Sequence, residues 1–350
     1  LHSFPTRRSS DLHIDFLLGA STMLRDRIAQ ALPYWDASVP GYGYVLGMYA
    51  FGLEETALYT RAEDTGRRAL ELNRRDPWAV HAVTHVMEMT GRLREGIEWL
   101  TSREPDWAPD NGFAFHNWWH LALFHLDTGE IAKVLDLYDQ RIRAVASPVP
   151  LEMIDASALL WRLELRGVDV SARWTALANT WEAFAEHAYY AFNDVHAVMA
   201  FVGARRFDLA TKTLASLERK AIGSDTNAMM SRDVGLPLAQ ALVAFGTGHH
   251  ADAVNLLLPI RGIASRFGGS HAQRDIVHLT LIEAALRSGN AKLARALASE
   301  RTQLKPTSPF NWQLTARALD LAGDPAGAMR ASEKADMRRK VQVGVHFEVA

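Results

Sequence analysis

The sequence has no cysteine. Disulfides, thiolate metal sites and a cysteine nucleophile are therefore excluded. Charge of one sign is also lacking: 38 Lys and Arg stand against 40 Asp and Glu, a formal net charge of −2. Nucleic-acid binders carry a basic face, so nucleic acid is not an expected partner. No apolar run approaches the roughly 20 residues that cross a bilayer, so no membrane partner is expected and the expected location is cytoplasmic. There is no phosphate loop, no dinucleotide fingerprint and no Gly-x-Ser-x-Gly elbow. Sustained two-residue alternation is missing as well, which argues against a sheet.

What is present is apolar material, 48% of 350 residues, enough for a large core and too much for a disordered chain. The run His2-Ser3-Phe4-Pro5-Thr6-Arg7-Arg8-Ser9-Ser10-Asp11-Leu12 reads as a translated sequencing adapter. Residues 1–12 are accordingly expected to be a disordered artefact standing where natural N-terminal sequence is missing.

Glycine recurs at the ends of apolar-periodic stretches: Gly52, Gly91, Gly129, Gly167, Gly203, Gly246, Gly289 and Gly323. Most spacings fall near about 40 residues, the scale of a helical repeat. A helix commonly ends on a residue at positive φ, where glycine avoids a Cβ clash. Phrases such as Asp127-Thr128-Gly129-Glu130-Ile131-Ala132 thus predict tight αα-hairpins. Asp76-Pro77 and Ser308-Pro309 place a capping side chain before a proline at the first helical position. The fold expected is all-α: a right-handed superhelical solenoid of antiparallel, tetratricopeptide-like helix pairs, about eight hairpins over 13–336. Residues 337–350 would form a C-terminal tail or capping segment. Residues 222–235 read as a loop or a re-entrant segment, and residues 259–270 as a loop.

Several phrases resemble the tetratricopeptide repeat protein 38 family. They include Gly47-Met48-Tyr49-Ala50-Phe51-Gly52-Leu53-Glu54-Glu55, the run from His81 through Arg92, His116-Asn117-Trp118-Trp119-His120, Phe192-Asn193-Asp194-Val195-His196 and Ser270-His271-Ala272-Gln273-Arg274-Asp275. The resemblance runs from about residue 15 to about 335. It implies an α-solenoid lacking its N-terminal portion, and it implies no activity.

Histidine placement is the sequence's most unusual feature. His81 and His85 share a helical face with Glu88, and His116 and His120 repeat the spacing beside Trp118. His187, Tyr190 and Asp194 form a third face with His196 just beyond; His271, Arg274, Asp275 and His278 form a fourth. First helices of successive hairpins line the concave side of a solenoid, which would stack these faces into one polar groove. Three readings follow. The rings could be hydrogen-bonded core groups. They could line a groove for a protein, a peptide or a small polar ligand, with Trp118 and Tyr190 as exposed anchors. Or they could form a metal-assisted hydrolytic site, since two His four apart can chelate zinc. The metalloprotease pattern itself is absent, because Ala82 and Asn117 stand where it needs Glu. The favoured expectation is a binding scaffold with no catalytic residue, cofactor or metal, with a metal-dependent hydrolase using His81, His85, His116 and His120 with Glu88 or Asp194 as the alternative. Among weaker features, Asp155 and Arg162 suggest an ion pair, and Gly268-Gly269-Ser270 could receive an anion at a helix N-terminus.

Overall fold

The computed structural model describes residues 13–343; the adapter-like stretch and the last residues of the expected tail lie outside them. After a short helical stretch at residues 13–17 comes α1 (Ser21–Ala31). Eight helix pairs follow. They are α2 (Tyr42–Glu54) with α3 (Tyr59–Leu72), α4 (Pro77–Met89) with α5 (Leu93–Ser102), α6 (Ala114–Thr128) with α7 (Ile131–Leu137), and α8 (Pro150–Leu165) with α9 (Ser171–Trp181). Then come α10 (Ala191–Gly203) with α11 (Phe207–Ala221), α12 (Leu236–Gly246) with α13 (His250–Ile260), α14 (His271–Arg287) with α15 (Ala291–Leu304), and α16 (Pro309–Leu321) with α17 (Pro325–Val343). No strand occurs among the described residues. The chain is an all-α solenoid of helical hairpins.

The turns obey local chemistry. The Asp76 side chain accepts from the backbone N–H groups of Trp78 and Ala79, with Pro77 at the first helical position. Ser308 does the same for α16 through Asn311. Gly91, Gly129, Gly167, Gly289 and Gly323 all take positive φ, as a helix-ending glycine should. The other three punctuating glycines have a different job. Gly52, Gly203 and Gly246 are inside their helices, and the positive φ of those turns falls on Ala57, Arg205 and Gly248 instead. A Cβ on Gly52 would sit 2.7 Å from the Arg25 backbone, and one on Gly203 would sit 2.4 Å from the Trp174 indole. These glycines allow close helix crossing rather than turning.

Two expected loops need correction. Residues 222–235 are largely helical: Thr226–Met230 runs through a wide turn at Ser231–Gly235 straight into α12. The expected loop at 259–270 is partly helical too, since Pro259 lies within α13 and Ala264–Phe267 forms a 3-10 turn. The basic C-terminal residues up to Val343 belong to α17, which packs on α5 and α6.

First and second helices differ in burial. In α4 every residue from Ala79 to Glu88 is buried, and in α6 every residue from His116 to Leu126. The second helices α3, α5 and α11 bury one stripe only. A helix covered all round has neighbours on every side. Those neighbours are the first helices across the axis: α14 packs on α8 and on α4, and α16 reaches α6. Side chains tie the crossing. Trp161 donates to Thr280 (2.9 Å), Arg162 to the Ala272 carbonyl (2.6 Å), Thr307 to the Gly91 carbonyl (2.6 Å) and Ser308 to Asp127 (2.6 Å). The concave face is therefore covered along much of its length instead of forming an open groove.

Candidate metal centre

α4 and α6 turn their histidine faces toward each other. His81, His85, His116 and His120 meet in one buried cluster, in which one ring nitrogen of each lies within 4.8 Å of one from every other. Ring centroids are 4.4 Å apart for His81 and His85, 4.5 Å for His85 and His120, and 4.8 Å for His81 and His116. The i,i+4 spacing puts each pair on one face, and the crossing of the two helices brings the pairs together.

Behind three of the rings stands a carboxylate. Nδ1 of His116 donates to Asp155 at 2.6 Å, and Nδ1 of His120 donates to Glu88 at 2.9 Å. An ionised carboxylate only accepts, so the proton in each pair sits on Nδ1. Nδ1 of His85 lies 3.3 Å from Glu54, itself fully buried at the end of α2. The two hydrogen bonds leave Nε2 of His116 and of His120 as the nitrogen that could ligate. Both nitrogens of His81 and of His85, and Nε2 of His120, have no hydrogen-bond partner.

Such orphaned nitrogens are costly to bury unless something meets them. Burial and the neighbouring imidazoles hold the pKa values of His81 and His120 well below the ordinary histidine value. Burial, the largest single effect, pulls His85 the same way, but Glu54, Glu88 and Glu55 together outweigh it and the net shift is upward. An imidazole whose Nδ1 is bonded to an acid, as in His116 and His120, is the arrangement in which histidine ligates a metal. Zinc–nitrogen bonds are about 2.0–2.1 Å, so the rings need draw in by at most about 1.5 Å to close a tetrahedral shell.

Beside the cluster lies a cavity of about 570 Å³ whose wall includes His81 and His116. Phe16, Phe51, Trp78, Phe113 and Phe192 give it an aromatic lining, and among the described residues no Asp, Glu, Lys or Arg contributes. Trp78 stacks on Phe113 with centroids 3.9 Å apart and is 42% exposed, which places this pair at the rim. Tyr190 closes another side, its hydroxyl donating to the Leu17 carbonyl at 2.9 Å.

The remaining candidate residues are dispersed. Trp118 is not an exposed anchor: it is buried against Trp107, with Arg141 over its ring. His187 does not share a helical face with Tyr190 and Asp194, because α10 begins only at Ala191; His187 is exposed beside Phe184 and Tyr189. His196 is a core ring whose Nδ1 donates to the Phe192 carbonyl at 2.7 Å. Asp194 is buried with one carboxylate oxygen unpartnered. Asp275 pairs through both oxygens with Arg301. Arg162 gives its hydrogens to the carbonyls of Ala158 and Ala272, and Asp155 serves His116, so the expected ion pair between the two is absent.

The anion expected at the N-terminus of α14 comes from the chain itself. Glu55 accepts from the His271 backbone N–H at 2.8 Å and from Arg274 at 3.2 Å, while Ser270 and Gln273 form a capping box. Glu54 and Glu55 are the acids that sequence reasoning passed over as site residues. Their signal was a pair of carboxylates ending the otherwise apolar α2.

No family model matches the chain. Among solved structures, one similar chain comes from a complex described as "Structure of Naa15/Naa10 bound to HypK-THB". The match covers 95% of this chain and 63% of that one, at 12% identity and a TM-score of 0.25. At so low a score the fold assignment rests on the helix pairing described above.

Proposed function

We propose that this protein is a metal-dependent enzyme of hydrolytic type, with the four-histidine cluster as its centre and the apolar cavity as its substrate pocket. The observation that carries the reading is the set of three acid-backed rings converging with His81 beside a preformed cavity. The described lining of the pocket carries no Asp, Glu, Lys or Arg, which supports an uncharged, largely apolar substrate with one polar group reaching the histidines.

An all-imidazole donor set suits zinc, iron, nickel or copper better than magnesium or calcium. Three buried carboxylates surround the centre, and a dication there would offset charge that the protein interior otherwise tolerates poorly. When bound, such an ion would polarise a carbonyl or lower the pKa of a bound water. We further infer kinship with the tetratricopeptide repeat protein 38 family, because the phrases that carry that resemblance hold all four cluster histidines.

The test is elemental analysis after growth with supplemented Zn²⁺, Fe²⁺, Ni²⁺ and Cu²⁺. One transition-metal ion per chain is expected, with a melting temperature that falls on chelation. A metal-free protein indifferent to both supplementation and chelator would return the molecule to the binding-scaffold reading.

A further inference from the structure

We infer that the four histidines divide their labour: His85, His116 and His120 hold the ion, and His81 stands on the pocket side as the group presented to the substrate. This rests on the metal-centre reading above.

The asymmetry is in the surroundings of each ring. Asp155, Glu88 and Glu54 stand behind His116, His120 and His85. Ligating imidazoles almost always have such a partner, which fixes the tautomer and aims the other nitrogen. His81 has no such partner among the described residues; neither ring nitrogen of His81 or of His85 makes a hydrogen bond, but Glu54 stands 3.3 Å from Nδ1 of His85 and no carboxylate stands behind His81. Its ring is held instead by aromatic contacts, 5.3 Å from Phe51 and 5.1 Å from Phe113. Both of those rings also line the pocket.

Position tells the same story. His81 and His116 form part of the cavity wall, whereas His85 and His120 are fully buried and do not; of the two wall rings, only His116 has a carboxylate behind it. The His81 centroid is 4.4–5.0 Å from those of the other three. His81 therefore borders both the buried rings of His85 and His120 and the space a substrate would fill. Catalytic metal sites commonly keep three protein ligands and leave a fourth position for water or substrate. An imidazole beside that position can hydrogen-bond the substrate's polar group.

The experiment compares Co²⁺ binding by the wild type, His81→Ala, His81→Gln and His120→Ala, using competition with a chromophoric chelator and the visible Co²⁺ spectrum. Loss of a true ligand should weaken binding at least as much as loss of the carboxylate behind it, about 100-fold. His120→Ala is expected to show that loss. His81→Ala and His81→Gln are expected to keep one Co²⁺ per chain within about threefold of the wild-type affinity, well inside the factor expected for a ligand. Azide should shift the wild-type spectrum by entering the fourth position.

If both His81 variants, folded by circular dichroism, lose Co²⁺ as His120→Ala does, the division of roles is overturned and the site is a closed four-histidine shell. A wild-type spectrum unmoved by azide overturns it as well. Absence of Co²⁺ binding by the wild type is a different outcome: it removes the metal-centre reading itself, and this inference with it.

Discussion

Asp155 on α8 reaches across to α6 and accepts a 2.6 Å hydrogen bond from Nδ1 of His116, with no part of Asp155 exposed to solvent. The bond fixes the tautomer of His116 and leaves Nε2 as the nitrogen that could ligate. Asp155→Asn keeps the shape but offers a weaker, differently oriented partner. The expected result is a metal affinity lower by about 10–100-fold with the fold intact. Chelator competition measures the first and circular dichroism the second. An unchanged affinity would show that Asp155 merely fills space beneath the ring.

Glu55 closes the array. It joins the end of α2 to the start of α14, more than 200 residues away in sequence, by accepting from the His271 backbone and from Arg274. Arg274 is buried and also donates to the Gly269 carbonyl. Glu55→Ala strands that guanidinium. Removing one partner of a buried pair costs about 3–5 kcal/mol, so a large drop in urea midpoint is expected. Hydrogen exchange should quicken around 264–274 and in α1–α2 before it does in α8. A loss under about 1 kcal/mol, typical of an exposed pair, would mean the clasp is not what holds the two ends together.

Much of the fold was legible from local pattern. The hairpin count follows from three-and-four apolar spacing and from glycine punctuation, both of which act within one helix and its turn. What lay beyond reach depends on how tightly the array winds. The spacings His81–His85 and His116–His120 show two faces, yet nothing local says that α4 and α6 press those faces together or that α14 covers the remainder. The same limit hid Glu54 and Glu55, whose partners belong to distant helices. It also misassigned Gly52, Gly203 and Gly246, because a glycine needed for close helix approach and a glycine needed for positive φ look alike in sequence. His187 was misplaced for a smaller reason: the chain leaves helical geometry before Tyr190, where Ala188 takes a φ of 47°.

The two kinds of glycine can be separated by experiment. Gly289 takes a φ of +75° with open space around the position of a Cβ, so Gly289→Ala should cost only the left-handed backbone penalty of about 1–2 kcal/mol. Gly203 has ordinary helical geometry, but a Cβ would strike the Trp174 ring at 2.4 Å. Gly203→Ala should cost about 1–3 kcal/mol by overpacking. A smaller residue at 174 should relieve the second and leave the first untouched. In a double-mutant cycle with Trp174→Leu, coupling is expected for Gly203→Ala and not for Gly289→Ala. Equal coupling, or none in either pair, would remove the distinction.

Asp194 supplies a pH signature independent of any metal. Burial raises its carboxyl pKa to about 7, only partly offset by a hydrogen bond from the Ala188 backbone. In the unfolded chain the same group titrates near about 3.9. A raised carboxylate pKa means the folded state favours the protonated form. Its contribution is therefore fully present below about pH 4 and is lost progressively as pH rises toward about 7. Asp194→Asn cannot ionise and escapes that loss. The stability of the variant relative to the wild type should climb between about pH 4 and pH 7, by as much as a few kcal/mol, and then level off, because each tenfold difference in acidity between the two states is worth about 1.4 kcal/mol. Urea denaturation of both proteins at several pH values from about 4 to about 8 reads it directly. A difference that stays flat across this range would show that Asp194 ionises in the fold as readily as in water.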